Sequence, residues 1–271
     1  MVRSGFSLSL FVALEDHINA AARQALSELA QSKMAYSDFP VPLRKILILN
    51  ALSGVGNYLS LNKSFTPQQA LTYAENEVVR LSKFNGPVRE YSGAGFNFKG
   101  SNLYADDIAN FLKSFAGSAG WAYLSAIVTE IGGSRPDLLG DFESLGRDRH
   151  KMAHSVEPQL DLSTLQLRID AAVAIAIAFG IAAYFLSHQV RSVNSFALVD
   201  TTRNDYVNHL RYLRSSPRGL AEIAPSGKVL KYFHDLRTAV VAILAKSNVN
   251  IVVLKDEQGL PVDVFFKGRS Y

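Results

Sequence analysis

The run Ala171-Ala172-Val173-Ala174-Ile175-Ala176-Ile177-Ala178-Phe179-Gly180-Ile181-Ala182-Ala183-Tyr184-Phe185-Leu186 holds no charged residue. A helix that is apolar all round is stable only inside a protein or inside a bilayer. A bilayer span needs about 20 apolar residues, a length this run reaches only by borrowing Ser187 to Val190. Its alanine content, with Leu162, Leu165 and Ile169 just upstream, points to a long helix buried in a bundle or a dimer. A membrane-attached protein is the alternative. Asp161 or Ser163 supplies the N-cap, and the helix is expected to reach about Val193.

Working towards the N-terminus, other segments show the same period. Phe11, Leu14, Ile18, Ala22, Ala25 and Leu29 recur at three- and four-residue steps and lay one apolar stripe on an opening helix that ends near Met34 to Tyr36. Pro40 and Pro42 punctuate the chain, a second helix runs from about Leu43 towards Leu61, and Thr66-Pro67 reads as the N-cap and first residue of a third. That third helix is expected to turn Leu71, Ala74, Val78 and Leu81 inward. From Asn85 to Asn102 the residues Gly86, Pro87, Gly93, Gly95 and Gly100 predict a loop. The Gly93-x-Gly95 pair lacks the third glycine and the βαβ setting of a dinucleotide fingerprint. Asp106 and Asp107 open a short helix with Ile108, Phe111, Leu112 and Phe115 on its inner face. After the breaks around Trp121 and at Gly132 to Pro136, a further helix runs from Asp137 until Pro158 stops it. Arg3 precedes a short apolar stretch, but Glu15 and Asp16 interrupt it and no small-residue cleavage site follows, which is not the pattern of a signal peptide.

Beyond Val193 the pattern changes. Residues 201–245 read as helices interrupted at Ser215 to Pro217 and at Pro225 to Gly227; Val249 to Leu254 and Val262 to Phe266, flanking Asp256-Glu257-Gln258-Gly259, read as a β-hairpin. Residues 201–271 hold 11 Lys+Arg against 6 Asp+Glu, whereas residues 1–200 hold 17 against 18, so the net charge of +4 belongs to the C-terminal segment. Such a surplus attracts phosphate backbones or an acidic partner, or is a plain solvated surface. The expected architecture is mainly α: a helical domain over residues 1–195, then a small basic α+β appendage over residues 196–271 that ends in a β-hairpin. The chain has no cysteine, which removes disulfides, thiolate zinc sites and cysteine nucleophiles. His17, His188, His209 and His234 show no metal-ligand spacing, and neither a metal nor a cofactor is expected.

Ionisable groups concentrate in Phe142-Glu143-Ser144-Leu145-Gly146-Arg147-Asp148-Arg149-His150-Lys151-Met152-Ala153-His154-Ser155. Arg149-His150-Lys151-Met152-Ala153-His154-Ser155 resembles the signature of the HEPN superfamily, an Arg, a polar residue, a few more positions, then a His followed by a small residue. The setting is similar too, with helices before the motif, the motif near a helix end, a short break and a long closing helix. The resemblance implies a HEPN-like helical bundle and a composite site at a homodimer cleft. Arg147, with a looser spacing to His154, is the other candidate arginine. On an uninterrupted helix, residues five apart are rotated by about 140°, so Arg149 and His154 do not share a face. Either the helix breaks near Ala153 or two subunits bring their pairs together across a symmetry axis; the resemblance implies the second.

For RNA the implied chemistry is metal-independent transesterification. Histidine titrates near neutral pH and can take or give a proton, and the arginine fork binds phosphate oxygens and stabilises added negative charge. His154 is thus the expected acid or base and Arg149 the phosphate clamp, with Arg147, His150 and Lys151 binding substrate. The function expected is a cytoplasmic homodimeric endoribonuclease, a toxin or phage-defence effector with a neutralising or activating protein partner. The alternative is a non-catalytic HEPN-like dimer that binds RNA, a nucleotide or a protein. In a third reading, Arg147, Arg149 and Lys151 form a solvated helix face balanced by Asp148 and Glu143, with His154 capping the helix.

Overall fold

The computed structural model describes residues 2–86, 88–96, 102–154, 161–197, 199 and 205–268. Pro87, Gly100, Ser155 and the helix stop at Pro158 lie outside them. The protein is mainly helical, with a small mixed five-stranded sheet towards its C-terminus. It comprises two compact units: residues 1–11, 122–181 and 202–271 form one, and residues 12–121 and 182–201 the other.

Helix α1 (Val2–Ala30) belongs to the first unit up to Phe11 and to the second from Val12 onward, and it buries Phe11, Leu14, Ile18, Ala22, Ala25 and Leu29, the stripe its spacing predicts. Helix α2 (Val41–Lys45) passes through a π-helical turn at Ile46–Asn50 into α3 (Ala51–Leu61). Helix α4 (Pro67–Ser82) begins with a capping box: the Gln69 amide donates to Thr66 Oγ1 at 3.3 Å and the Thr66 amide to Gln69 Oε1 at 2.9 Å. Its inner face departs from the expected one. Leu71 and Val78 are exposed, Ala74 and Leu81 are only partly covered, and Glu77 is the buried residue. Glu77 can turn inward because Arg80 pairs with one carboxylate oxygen and Ser92 Oγ donates to the other at 2.5 Å. Helix α5 (Ala105–Phe115) buries Ile108, Phe111, Leu112 and Phe115 as predicted, and Asp107 accepts from the Tyr104 amide at 3.0 Å.

The first unit holds α6 (Trp121–Glu130, from Ala122 onward), α7 (Leu138–His154) and the first part of α8 (Leu162–Val193). The α6 helix has no clear signal in the sequence because glycines surround Trp121. The Asp161 cap of α8 is confirmed: its carboxylate accepts from the Thr164 amide at 2.7 Å, Ser163 Oγ at 2.6 Å and Thr164 Oγ1 at 3.0 Å. By length and composition α8 is the one described helix that could cross a membrane, yet 78% of its apolar window is buried in the protein.

Residues 210–233 correct the helical reading of that stretch. They form β1 (Leu210–Ser216), β2 (Gly219–Ile223) and β3 (Val229–Phe233), followed by α9 (Leu236–Leu244), β4 (Ile251–Lys255) and β5 (Pro261–Phe266). The breaks at Pro217 and at Pro225 to Gly227 are hairpin turns, the first closed by Gly219 at φ 103°. The strand order is β3-β2-β1-β4-β5, with β1 and β4 parallel across the α9 crossover and the other neighbours antiparallel. Only the last pair, β4 and β5, is the hairpin read from sequence. Helix α9 packs Ala239, Val240 and Ile243 against Leu213, Val252 and Phe265 on one sheet face. Glu222 is fully buried in β2 and is held by Lys246 and, at 3.8 Å, by Arg211.

Two expectations follow from this packing. Ile243→Ala leaves a cavity under α9 and destabilises the protein by about 2–5 kcal/mol in urea unfolding; no change in the midpoint would contradict the packing. The hydrogen bonds to Asp161 hold its carboxyl down to about 2, from an ordinary 3.8. A lowered folded-state value means that the capping contribution is present above the ordinary value and is lost as pH falls through the folded one. The difference in thermal midpoint between the parent and Asp161→Ala therefore shrinks as pH falls from roughly 5 to 2, and a constant difference would refute the assignment.

Candidate functional site

Helix α7 begins where Asp137 Oδ1 accepts from the Gly140 amide at 2.9 Å. Leu138, Phe142 and Leu145 form its buried stripe. Arg149 continues that stripe, four residues beyond Leu145 and seven beyond Phe142, which places it on the core-facing side of the helix. It meets an aromatic floor there. The Phe11 ring packs against Phe142 with centroids 5.8 Å apart, and the Arg149 guanidinium carbon lies 6.0 Å from the Phe11 centroid. A cation over a ring face at this range is worth about 0.5–1 kcal/mol at a partly exposed site. Arg149 Nε is buried with no hydrogen-bond partner among the described residues. Nor does a carboxylate there neutralise the side chain.

The neighbouring arginine is committed differently. Arg147 is exposed, pairs with Glu143 at 3.6 Å and donates to Ser144 Oγ at 2.8 Å, all on its own helix. Asp148 is taken up by Arg168 of α8 at 2.6 Å, with the two side chains 13% and 23% exposed. At the other end of α7, Arg135 bridges Asp141 and Asp170 of α8 at 3.6 Å each. The Arg168 and Arg135 pairs fix α7 against α8, and with the Arg147–Glu143 pair they take up Asp148 and Glu143, the carboxylates that sequence alone offered as balancing charges.

The helix continues without a break through His154, its last residue. Position 154 is therefore about 140° around the axis from position 149, about 20° from position 147 and about 40° from position 150. Arg147, His150 and Lys151 are exposed. The structure thus brings positions 147, 150 and 154 to one side of α7 and sets Arg149 on another. What the sequence did not reveal is the support beneath Arg149: Phe11 lies more than a hundred residues away in the chain, and nothing local signals the contact. Among the described residues no group of three or more His, Asp or Glu side chains is arranged to hold a metal ion.

Comparison of the chain with protein-family models, curated proteins and solved structures gives no match. The chemistry of α7 is accordingly read from its own residues. A double-mutant cycle on Asp148→Ala and Arg168→Ala is expected to return a coupling of about 1–3 kcal/mol in chemical unfolding. Additive effects would remove this pair as the anchor of α7.

Proposed function

We propose that the protein is a metal-independent endoribonuclease of HEPN type that acts as a homodimer, with Arg149 and His154 at the dimer cleft. The observation that carries the reading is the unbroken course of α7 through His154. A helix break near Ala153 is absent, a course consistent with the pairing across a two-fold axis that the HEPN resemblance implies. Each subunit then contributes its Arg149 and His154 to one cleft. That no carboxylate pairs with Arg149 among the described residues fits a side chain kept for phosphate.

In the proposed reaction a histidine takes the proton of the 2′-hydroxyl, and the 2′-oxygen attacks the adjacent phosphorus. The P–O5′ bond breaks, a proton passes to the departing 5′-oxygen, and a 2′,3′-cyclic phosphate remains. Arg149 stabilises the charge added to the phosphoryl oxygens, while Arg147, His150 and Lys151 hold the flanking backbone. The basic C-terminal segment adds long-range attraction for RNA. A cytoplasmic toxin or phage-defence role with a controlling protein partner belongs to the same proposal. The rival is a HEPN-like dimer that binds RNA, a nucleotide or a protein without cleaving. One observation favours it: Arg149 is partly buried over Phe11, as a structural arginine is.

Purified protein incubated with mixed cellular RNA in EDTA decides between them. The parent is expected to give cyclic phosphate ends, with Arg149→Ala and His154→Ala each slowing cleavage by about 100-fold or more. Cleavage that survives both substitutions removes the assigned site, and intact RNA with the parent favours the binding module.

A further inference from the structure

The second unit contains a cleft that the α7 reading does not use. It consists of two adjoining hollows of about 370 and 400 Å³ that share Arg23, Arg80 and Gly93. Each is within the size range of small-molecule sites, roughly 300–1,000 Å³. Arg23 from α1, Arg80 from α4 and Arg89 from the following loop all line the first hollow. The loop is seated tightly. A Cβ on Gly95 would meet the Ile46 carbonyl oxygen at 2.0 Å, and one on Gly54 the Ala94 carbonyl oxygen at 2.0 Å. The glycines that carry no dinucleotide fingerprint therefore let the loop close down on α3 and the π-turn. Gly93 also leaves room for the Arg23 side chain, whose Cγ lies 2.5 Å from where a Cβ would stand.

Charge is unevenly satisfied in this cleft. Glu77 neutralises Arg80, and Glu90 pairs with Lys83 at 2.8 Å. Arg89 donates to neutral acceptors, the backbone carbonyls of Met34 and, at 3.4 Å, Ser32, and has no ion-pair partner among the described residues. Arg23 has no ion-pair partner among the described residues. Two guanidinium charges thus stay unneutralised at one end, which suits a phosphate dianion. The second hollow is different. Tyr58 and Tyr73 stand with ring centroids 4.6 Å apart and planes 34° apart, beside Asp16 and Asn19. Burial, then the Glu77 and Tyr58 charges, raise the Tyr73 hydroxyl above its ordinary value while Arg80 and Arg23 act against them, so the two arginines lie within electrostatic reach of this ring. A planar ligand ring can stack on the tyrosines, and Asp16 offers an acceptor for its N–H groups while repelling a phosphate from that end.

We infer that this cleft binds a nucleoside 5′-monophosphate, its phosphate on Arg23 and Arg89 and its base on the Tyr58–Tyr73 shelf. The site shares no residue with the α7 motif and stands or falls independently of it. Isothermal titration of the full chain with AMP, GMP, CMP and UMP, and separately with adenosine and inorganic phosphate, tests it. At least one nucleotide is expected to bind in the micromolar to submillimolar range, with adenosine and inorganic phosphate each weaker by about tenfold or more. Arg23 is exposed, so Arg23→Ala should keep the circular dichroism of the parent and weaken nucleotide binding by about tenfold or more. Tyr73→Ala should abolish the preference for nucleotide over inorganic phosphate. No binding of any nucleotide at millimolar concentration overturns the inference, as does binding unchanged in Arg23→Ala. Inorganic phosphate that binds as tightly as the nucleotides removes the aromatic shelf from the site. Arg23-dependent binding of single-stranded RNA without monophosphate binding would make the cleft an RNA contact instead.

Discussion

Over Ala171 to Leu186 α8 presents no polar face, so in water it is stable only when other parts of the chain surround it. They do: Ala171, Ile175, Ala178, Phe179, Ile181, Ala182, Ala183 and Leu186 are all essentially inaccessible. Alanine makes this practical, because a short side chain lets neighbouring elements approach the helix closely and fill space at crystal-like density. The same helix supplies core residues to each compact unit, Ile175 and Phe179 to one, Ala182 and Leu186 to the other. Its charged start is the contrasting case. Arg168 and Asp170 lie before the apolar run and serve as the anchors of α7.

That division of labour shapes the proposed active site. Helix α7 commits Asp148 to α8, Asp141 to Arg135 and Glu143 to its own Arg147, and it turns its apolar stripe to the Phe11 side of the core. Among the described residues Arg149 has a ring beneath it and no counter-charge, while Arg147, His150 and Lys151 are exposed. The unbroken α7 helix sets positions 149 and 154 about 140° apart around its axis, the two positions that the proposed reaction would bring together. In the proposal, catalysis is a property of a pair of chains.

The C-terminal sheet shows why short strands escape a pattern search. In Leu210–Ser216 the buried residues are Leu210, Tyr212 and Leu213, and this pattern, with Arg211 among them and Arg214 after them, fits a helical wheel as well as a strand. What commits the segment to a strand is pairing with β4, some forty residues away in the chain. The buried faces are finished by contacts of the same kind. Tyr212 donates its hydroxyl to the Glu130 carbonyl at 3.4 Å, Lys255 Nζ lies 4.0 Å from the Tyr212 ring, and desolvation pushes that hydroxyl up to about 12.

Local chemistry was legible in the sequence wherever it acts over one or two turns. The Thr66-Pro67 and Asp161 caps, the α1 and α5 stripes, the long α8 helix and the closing hairpin each depend on residues within a few positions of one another. The Arg149-to-His154 spacing was legible in the same way. Tertiary structure alone decided that α4 turns Glu77 inward in place of Leu71 and Val78, since a buried carboxylate is tolerable only when Arg80 and Ser92 arrive to satisfy it. It decided that 210–233 is sheet, that Phe11 lies under Arg149, and that Arg23, Arg80 and Arg89 meet in one cleft. Each of these depends on a partner distant in the chain, and neither propensity nor periodicity carries information about such a partner.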